Sequence, residues 1–181
     1  MQKDKERLLE LLKRDAFFKE KVVLSSGKES DFYIDARRIT LHPEGVYLCA
    51  KIILNMIQED AVDAIGGPTL GADAIVGAIA VLSHEAGKPL NGFIIRKKPK
   101  AHGKQQQIEG PLLFQGARVI LIDDVATSGQ SLVESLEICA KMNVSVVKAI
   151  CLVDRQEGAQ EALAGKNCSL ISIFNLSDFS S

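Results

Sequence analysis

The sequence predicts an α/β protein with an open, mostly parallel sheet flanked by helices. Three observations carry this. From residue 61 onward the chain repeats a rhythm of strand, loop and helix. The strand segments are short apolar runs rich in Ile and Val, as in sheets covered on both faces. At 181 residues, 46% hydrophobic and 25% charged, the chain has the balance of an ordinary globular domain, and one of this size buries roughly 70% of the surface its unfolded chain exposes. It contains no internal repeat, low-complexity tract or Pro/Ser-rich linker, so a single domain over 1–181 is expected.

The elements follow in chain order. Residues 4 to 14 put Leu8, Leu11 and Leu12 on one helical face, and residues 44 to 58 do the same with Val46, Cys49, Ile53 and Met56. Between them VVLSSGKESDFYIDARR mixes β-branched and aromatic residues with Ser and Gly turns and predicts a small extended or hairpin region. VDAIGG then leads into a small-residue helix, GADAIVGAIAVLSHEAG. NGFIIRK, RVILIDD, SVVKAICLVD and LISIFNL supply further strands, with the helix SLVESLEICAKM between the middle pair. KPKAHGKQQQIEGPLLFQG is the one long irregular stretch, polar and glycine-containing, which suggests a mobile loop with a function.

Charge and cysteine usage remove several classes of function. Lys and Arg number 22 against 23 Asp and Glu, so no global positive field recruits nucleic acid or an anionic membrane, and any anion site must be local. The N-terminus, MQKDKERLLELLKRD, lacks a signal-type apolar core and no later run reaches the length of a membrane span, so a cytoplasmic protein is expected. Cys49, Cys139, Cys151 and Cys168 are scattered, with no C-x-x-C pair and no histidine at ligand spacing, and they read as reduced, mostly packed thiols.

The strongest chemical signal is RVILIDDVATSGQSLVESL. An apolar strand ends in Asp123 and Asp124, and Val125 and Ala126 lead to the turn Thr127-Ser128-Gly129-Gln130-Ser131 and directly into a helix. In open α/β sheets ligands sit beyond the carboxyl ends of strands, so these side chains face the expected pocket. The turn offers hydroxyls and backbone N–H groups at a helix start, where a phosphate is favoured, and the carboxylates can accept hydrogen bonds from a sugar diol. Taken singly, an acid pair more often just ends a strand, and Ser128 or Ser131 more often just caps a helix. The complete order of strand, acid pair, turn and helix points instead to a ribose phosphate. Neither G-x-x-x-x-G-K-[ST] nor G-x-G-x-x-G after a strand occurs, which disfavours a P-loop NTPase or a dinucleotide-binding dehydrogenase.

VILIDDVATSGQS resembles the motif by which type I phosphoribosyltransferases bind phosphoribosyl pyrophosphate (PRPP). The run Arg96-Lys97-x-x-Lys100-x-His102-Gly103, by itself readable as a solvated basic face, resembles the R-K-x-x-K-x-H-G signature of the orotate branch of that family, as does the IEGPL that follows. Three further stretches are similar to the same branch: SSGKESDFYIDAR to its base-binding hairpin, GGPTLGADAIVGAIA to its pyrophosphate-side loop and helix, and LVDRQEGAQEAL to the strand end that carries an orotate-binding arginine, here Arg155. Read without the family, GGPTLG is either a plain connector or a backbone anion site.

The resemblance implies the type I phosphoribosyltransferase fold with a small N-terminal hood to which residues 1–40 contribute. It implies transfer of the phosphoribosyl group of PRPP to orotate, giving orotidine 5′-monophosphate and pyrophosphate for UMP synthesis. Mg²⁺ would be held mainly by PRPP and not directly by the protein. Arg96, Lys97, Lys100, His102 and residues 123 to 131 are the expected PRPP-binding set, with Lys100, His102 and Asp124 acting in catalysis. Tyr33, Ile34, Thr127 and Arg155 are expected at the orotate. The family also implies a homodimer whose basic loop covers the partner's site. Two departures stand out. Some relatives carry a lysine where this chain has Leu70 and another where it has Ser25, so pyrophosphate binding should lean more on backbone amides near Thr69 and on the 96 to 102 cluster, with Lys28 the candidate to replace one lysine. Another phosphoribosyltransferase, for a purine or uracil, and a PRPP-sensing regulator without turnover are the competing readings.

Overall fold

A computed structural model describes residues 1–23, 29–98 and 107–179. Helix α1 (Gln2–Asp15) buries Leu8, Leu11 and Leu12, with Asp4 in its first turn and Lys13 and Arg14 in its last, a charge order that suits the helix dipole. Four two-residue strands follow as nested antiparallel pairs. β2 (Val22–Val23) and β3 (Glu29–Ser30) form the inner pair and β1 (Phe17–Phe18) and β4 (Tyr33–Ile34) the outer one, so the expected hairpin region is present. A short α2 (Arg37–Thr40) leads to α3 (Pro43–Met56), which starts where His42 Nδ1 accepts a hydrogen bond from the Gly45 amide and Pro43 occupies the first turn. The buried face of α3 is Leu48, Cys49, Ala50, Ile52 and Ile53. Val46 and Met56, expected on it, lie at its margins and are half-buried.

The rest of the chain builds the sheet: β5 (Ala64–Pro68), α4 (Asp73–Glu85), β6 (Asn91–Ile95), β7 (Ile108–Glu109), β8 (Arg118–Ala126), α5 (Gln130–Lys141), β9 (Ser145–Asp154), α6 (Ala159–Ala164), β10 (Leu170–Asn175) and a closing 3₁₀ turn, Leu176–Phe179. The six strands lie in the order β10-β9-β8-β5-β6-β7, all parallel except β7, which runs antiparallel to β6. Part of the stretch read as irregular is thus a strand, the return arm of a hairpin on the sheet edge. Two residues are too few to give a period.

The sheet is covered on both faces, and β8 shows how. Ile120 and Ile122 point into a core shared with α1, α3 and α4, while Val119 and Leu121 point into the core under α5 and α6. All four are fully buried, each worth about 1.5–3 kcal/mol relative to exposure. The hood is tied to this body by aromatic contacts. Phe17 stacks on Phe32 of the hood, with ring centroids 5.8 Å apart, and on Phe179 of the closing turn at 5.2 Å. Phe179 is 6% exposed. Phe179→Ala should therefore cost about 3–5 kcal/mol, at about 2–4 °C of Tm per kcal/mol. It should also speed amide exchange at Phe17, Phe18, Tyr33 and Ile34 while leaving β8 protected. Unchanged exchange in the hood would refute the anchoring role.

Candidate active site

Neighbouring strands β5 and β8 send their following helices to opposite faces: α4 packs with Ile75, Val76 and Ile79 in one core, and α5 packs with Leu132 and Cys139 in the other. Such a switch point opens a crevice beyond the carboxyl ends of the strands. Two adjoining cavities occupy it, of about 610 and 550 Å³, and they share Pro68, Lys97, Val125 and Ser131 as walls.

The first lobe is built by the turn after β8. Gly129, with φ 75°, is the N-cap of α5, no side chain caps the helix, and its first turn holds no acid, so its first N–H groups remain available to an anion. Neither serine acts as the cap. Ser131 Oγ instead donates to Asp123 Oδ2 at 2.8 Å, tying the turn to the acid pair. Thr127 to Ser131, Arg96 and Lys97 all line this lobe. Arg96 is braced at the neck of the β6–β7 hairpin, its amide donating to Gln107 O at 2.8 Å and its Nη1 3.1 Å from Glu109 Oε1.

Asp123 and Asp124 line the second lobe with Tyr33, Ile34 and loop 69–71. Asp123, 5% exposed, accepts from the Asp124 amide (2.9 Å) and from Ser131, and Asp124 Oδ1 accepts from the Val125 amide (2.8 Å). Burial first, and the Asp124 charge second, push the Asp123 carboxyl well above the usual carboxylate range, against the opposing pull of its hydrogen bonds. Loop 69–71 lies directly on the pair. A Cβ at Gly71 would come within 2.6 Å of Asp124 Oδ1 and nearer still to Asp123 Oδ1. Thr69 Oγ1 donates to Asp73 Oδ2 at 2.7 Å, while Asp73 Oδ1 is a buried oxygen with no hydrogen-bond partner among the described residues.

Of the residues singled out in the sequence, Tyr33, Ile34, Arg96, Lys97, Asp123, Asp124, Val125 and Thr127 to Ser131 line the two lobes. Ala126 is buried behind the wall. Lys100, His102, Ser25 and Lys28 lie outside the described residues. Arg155 follows β9 on the ligand side, as expected, but does not line either lobe. It is 3% exposed, its Nε is 2.9 Å from Glu157 Oε1, its guanidinium lies 4.3 Å from the centroid of the Phe32 ring, and its amide donates to Ala126 O. Sequence reasoning missed Asp35 and Arg37, which line the second lobe. Their signal was the D-x-R spacing directly after the aromatic hood strand.

The four cysteines are free and buried, and desolvation pushes Cys49 and Cys139 up to about 12, which removes them as nucleophiles.

The raised Asp123 carboxyl makes stability depend on pH. Between its unfolded and its folded pKa the native state holds the proton more tightly, so stability falls as pH rises through that window. Asp123→Asn removes the ionisation and keeps the hydrogen-bonding shape. Its Tm should match wild type near pH 4 and exceed it by at least about 3 °C near pH 8, since each pKa unit is about 1.4 kcal/mol. A Tm difference that stays flat from pH 4 to pH 8 would refute the buried-charge account.

Comparison with known proteins agrees with this architecture. The sequence model of the phosphoribosyl transferase domain family matches residues 35–180. An orotate phosphoribosyltransferase of Aquifex aeolicus is 43% identical over 155 residues, covering 86% of this chain and 84% of that protein, and one of Nostoc is 38% identical over 95% of this chain and 83% of its own length. Among solved structures, orotate phosphoribosyltransferase of Mycobacterium tuberculosis in complex with Fe(III) dicitrate superposes with a TM-score of 0.85 at 35% identity, covering 98% of this chain and 99% of that one. The same enzyme in complex with PRPP gives 0.81 at 31% identity and the same coverage. With fold, motif order and sequence agreeing over nearly its whole length, the chain belongs to the orotate phosphoribosyltransferases, within the phosphoribosyl transferase domain family.

Proposed function

We propose that the crevice transfers the phosphoribosyl group of PRPP to orotate, giving orotidine 5′-monophosphate and pyrophosphate. The observation that carries this reading is the acid pair at the switch point, flanked on one side by an uncapped helix start and on the other by a glycine loop packed against both carboxylates. A sugar phosphate with a second phosphate group fits that order: 5′-phosphate at Thr127 to Ser131, ribose hydroxyls at Asp123 and Asp124, diphosphate toward loop 69–71 and Lys97.

In the reaction the bond from the anomeric carbon to the pyrophosphate oxygen breaks and a bond to the orotate nitrogen forms. The ribose becomes cation-like as the diphosphate departs with its electron pair. Carboxylates fixed beside the ring act where positive charge develops, and Arg96 and Lys97 act where negative charge develops. Lys100 and His102 are assigned to the same task. Deprotonated orotate needs no general base. Tyr33 and Ile34 cover the flat base. Arg155 is assigned the orotate carboxylate on position, since it lies against Phe32, the residue before Tyr33.

Mg²⁺ would supply charge neutralisation on the diphosphate. The metal would be held mainly by PRPP itself, and the lobe suits such a metal-bearing substrate because Asp123 and Asp124 line it with negative charge. A cytoplasmic setting accords with four buried free thiols, and among the described residues no helix is long and apolar enough to cross a membrane.

The reading predicts that pyrophosphate is released with PRPP, Mg²⁺ and orotate, and not with uracil, adenine or hypoxanthine. Arg155→Ala should raise KM for orotate by about tenfold or more while KM for PRPP stays within about twofold. Equal effects on both substrates would remove Arg155 from the base site. The β6–β7 neck lies at the sheet edge. If the loop acts across a homodimer, mixing a Lys100→Ala/His102→Ala protein with an Asp124→Ala protein should restore about a quarter of wild-type activity, because half the dimers are mixed and each has one intact site. No recovery from proven mixed dimers would place the loop on its own subunit.

A further inference from the structure

The lobe around the acid pair is unfavourable for an anion as it stands. Asp35, Asp123 and Asp124 line it, and loop 69–71 brings Thr, Leu and Gly and so no cationic side chain. Among the described residues two cations line this lobe, Lys97 and Arg37. Lys97 also lines the phosphate lobe and so stands between the two. Arg37 belongs to this lobe only, on the hood side.

The turn that presents Arg37 holds two consecutive arginines with different surroundings. Arg38 lies over the Phe18 ring, 4.8 Å from its centroid, and donates to Asp15 O at 3.4 Å, so it serves the hood. Arg37, half-exposed, lies on the cavity wall. Asp35 faces both, with Oδ1 3.4 Å from Arg37 Nε and Oδ2 3.8 Å from Arg38 Nε. One carboxylate between two guanidinium groups leaves a net positive charge in the turn. Nε is one of five N–H donors of a guanidinium, so Asp35 steadies the group by the edge nearest its stem and leaves donors for a ligand. The Tyr33 hydroxyl is a further partner of the same group.

We propose that Arg37 is a diphosphate-binding residue, holding the leaving group of the phosphoribosyl donor from the hood side while Lys97 holds it from the other. This rests on the phosphoribosyl-transfer reading of the site. The diphosphate is favoured over the base carboxylate by connectivity. Loop 69–71 packs on the carboxylates assigned to the ribose hydroxyls, and the diphosphate hangs from the carbon next to those hydroxyls, so it occupies the part of the lobe that this loop and Arg37 both line. An arginine that merely paired with Asp35 at the surface would contribute little, and its loss would leave catalysis untouched.

The test is Arg37→Gln, with Arg37→Lys beside it, in the full-length enzyme. A half-exposed site predicts melting curves that coincide with wild type. Calorimetric titration with Mg²⁺ and pyrophosphate should show the Kd raised about ten- to a hundredfold in Arg37→Gln, the range for losing a hydrogen bond to a charged group, with kcat/KM for PRPP lowered in parallel. Arg37→Lys should recover part of both. The Kd for orotate should stay within about twofold. Unchanged pyrophosphate binding would overturn the proposal and leave Arg37 a surface partner of Asp35. A raised orotate Kd with normal pyrophosphate binding would also overturn it and assign Arg37 to the base. Wild-type protein inactive with every base, but binding pyrophosphate through Arg37, would sink the reaction and keep the anion site.

Discussion

Strands β5 and β8 lie side by side, yet the helices that follow them pack on opposite faces of the sheet, and the gap that opens between them is the constraint on which the site depends. The gap exists because each strand has an apolar partner on each face. Ile120 and Ile122 reach one core, Val119 and Leu121 the other, and neither α4 nor α5 can move toward the gap without uncovering its own buried stripe. A crevice fixed by two cores resists collapse when empty. Its walls therefore need not be assembled by the ligand, which lowers the entropy cost of binding.

Into this gap the chain places a carboxylate that burial works against. Asp123 closes the buried run of β8, residues 119 to 123, beside a second acid, and its hydrogen bonds to Ser131 and the Asp124 amide offset only part of the cost. A residue selected for stability alone would not be ionisable there. A substrate that brings hydroxyl donors to the carboxylates, and positive charge as the bond to the diphosphate breaks, relieves that cost most fully in the transition state, where relief accelerates the reaction. The same Ser131 that donates to Asp123 belongs to the first turn of α5, so the start of that helix and the acid pair are mechanically one unit.

Much of this was legible in the sequence because the informative residues are contiguous. Strand, acid pair, turn and helix follow one another from residue 118 to 141, and an apolar run leading into polar residues states which end faces the ligand, although the strand itself runs past the acid pair to Ala126. The Leu stripe of α1 was legible for a similar reason, Leu8, Leu11 and Leu12 standing at the three- and four-residue spacings of one helical face. What escaped were features with no period. Strand β7 is two residues long and is defined by its partner, Ile95 facing Ile108. Helix α6 has six residues and follows an N-cap, Gly158, with φ 108°. Arg37 escaped because an arginine among arginines carries no local sign of which one faces a cavity. That is decided by Phe18, Asp15 and Asp35, which only the folded hood brings together.

Arg155 shows the opposite case, a position legible in the chain whose surroundings were not. Strand end and ligand side were read correctly, yet the guanidinium is nearly inaccessible, with Glu157 on its Nε and Phe32 on its face. Phe32 in turn stacks on Phe17, which stacks on Phe179 near the end of the chain. An arginine held between an acid and an aromatic plate is pre-ordered, since its rotamer freedom is already lost before any ligand arrives. Its orientation then depends on how the hood is seated. The hood is seated by three aromatic rings drawn from the first and last parts of the sequence. If Arg155 meets the orotate carboxylate as proposed, the packing that closes the fold and the recognition of the base are coupled through one stack of side chains, and a change at residue 179, far from the crevice in sequence, would act on the base.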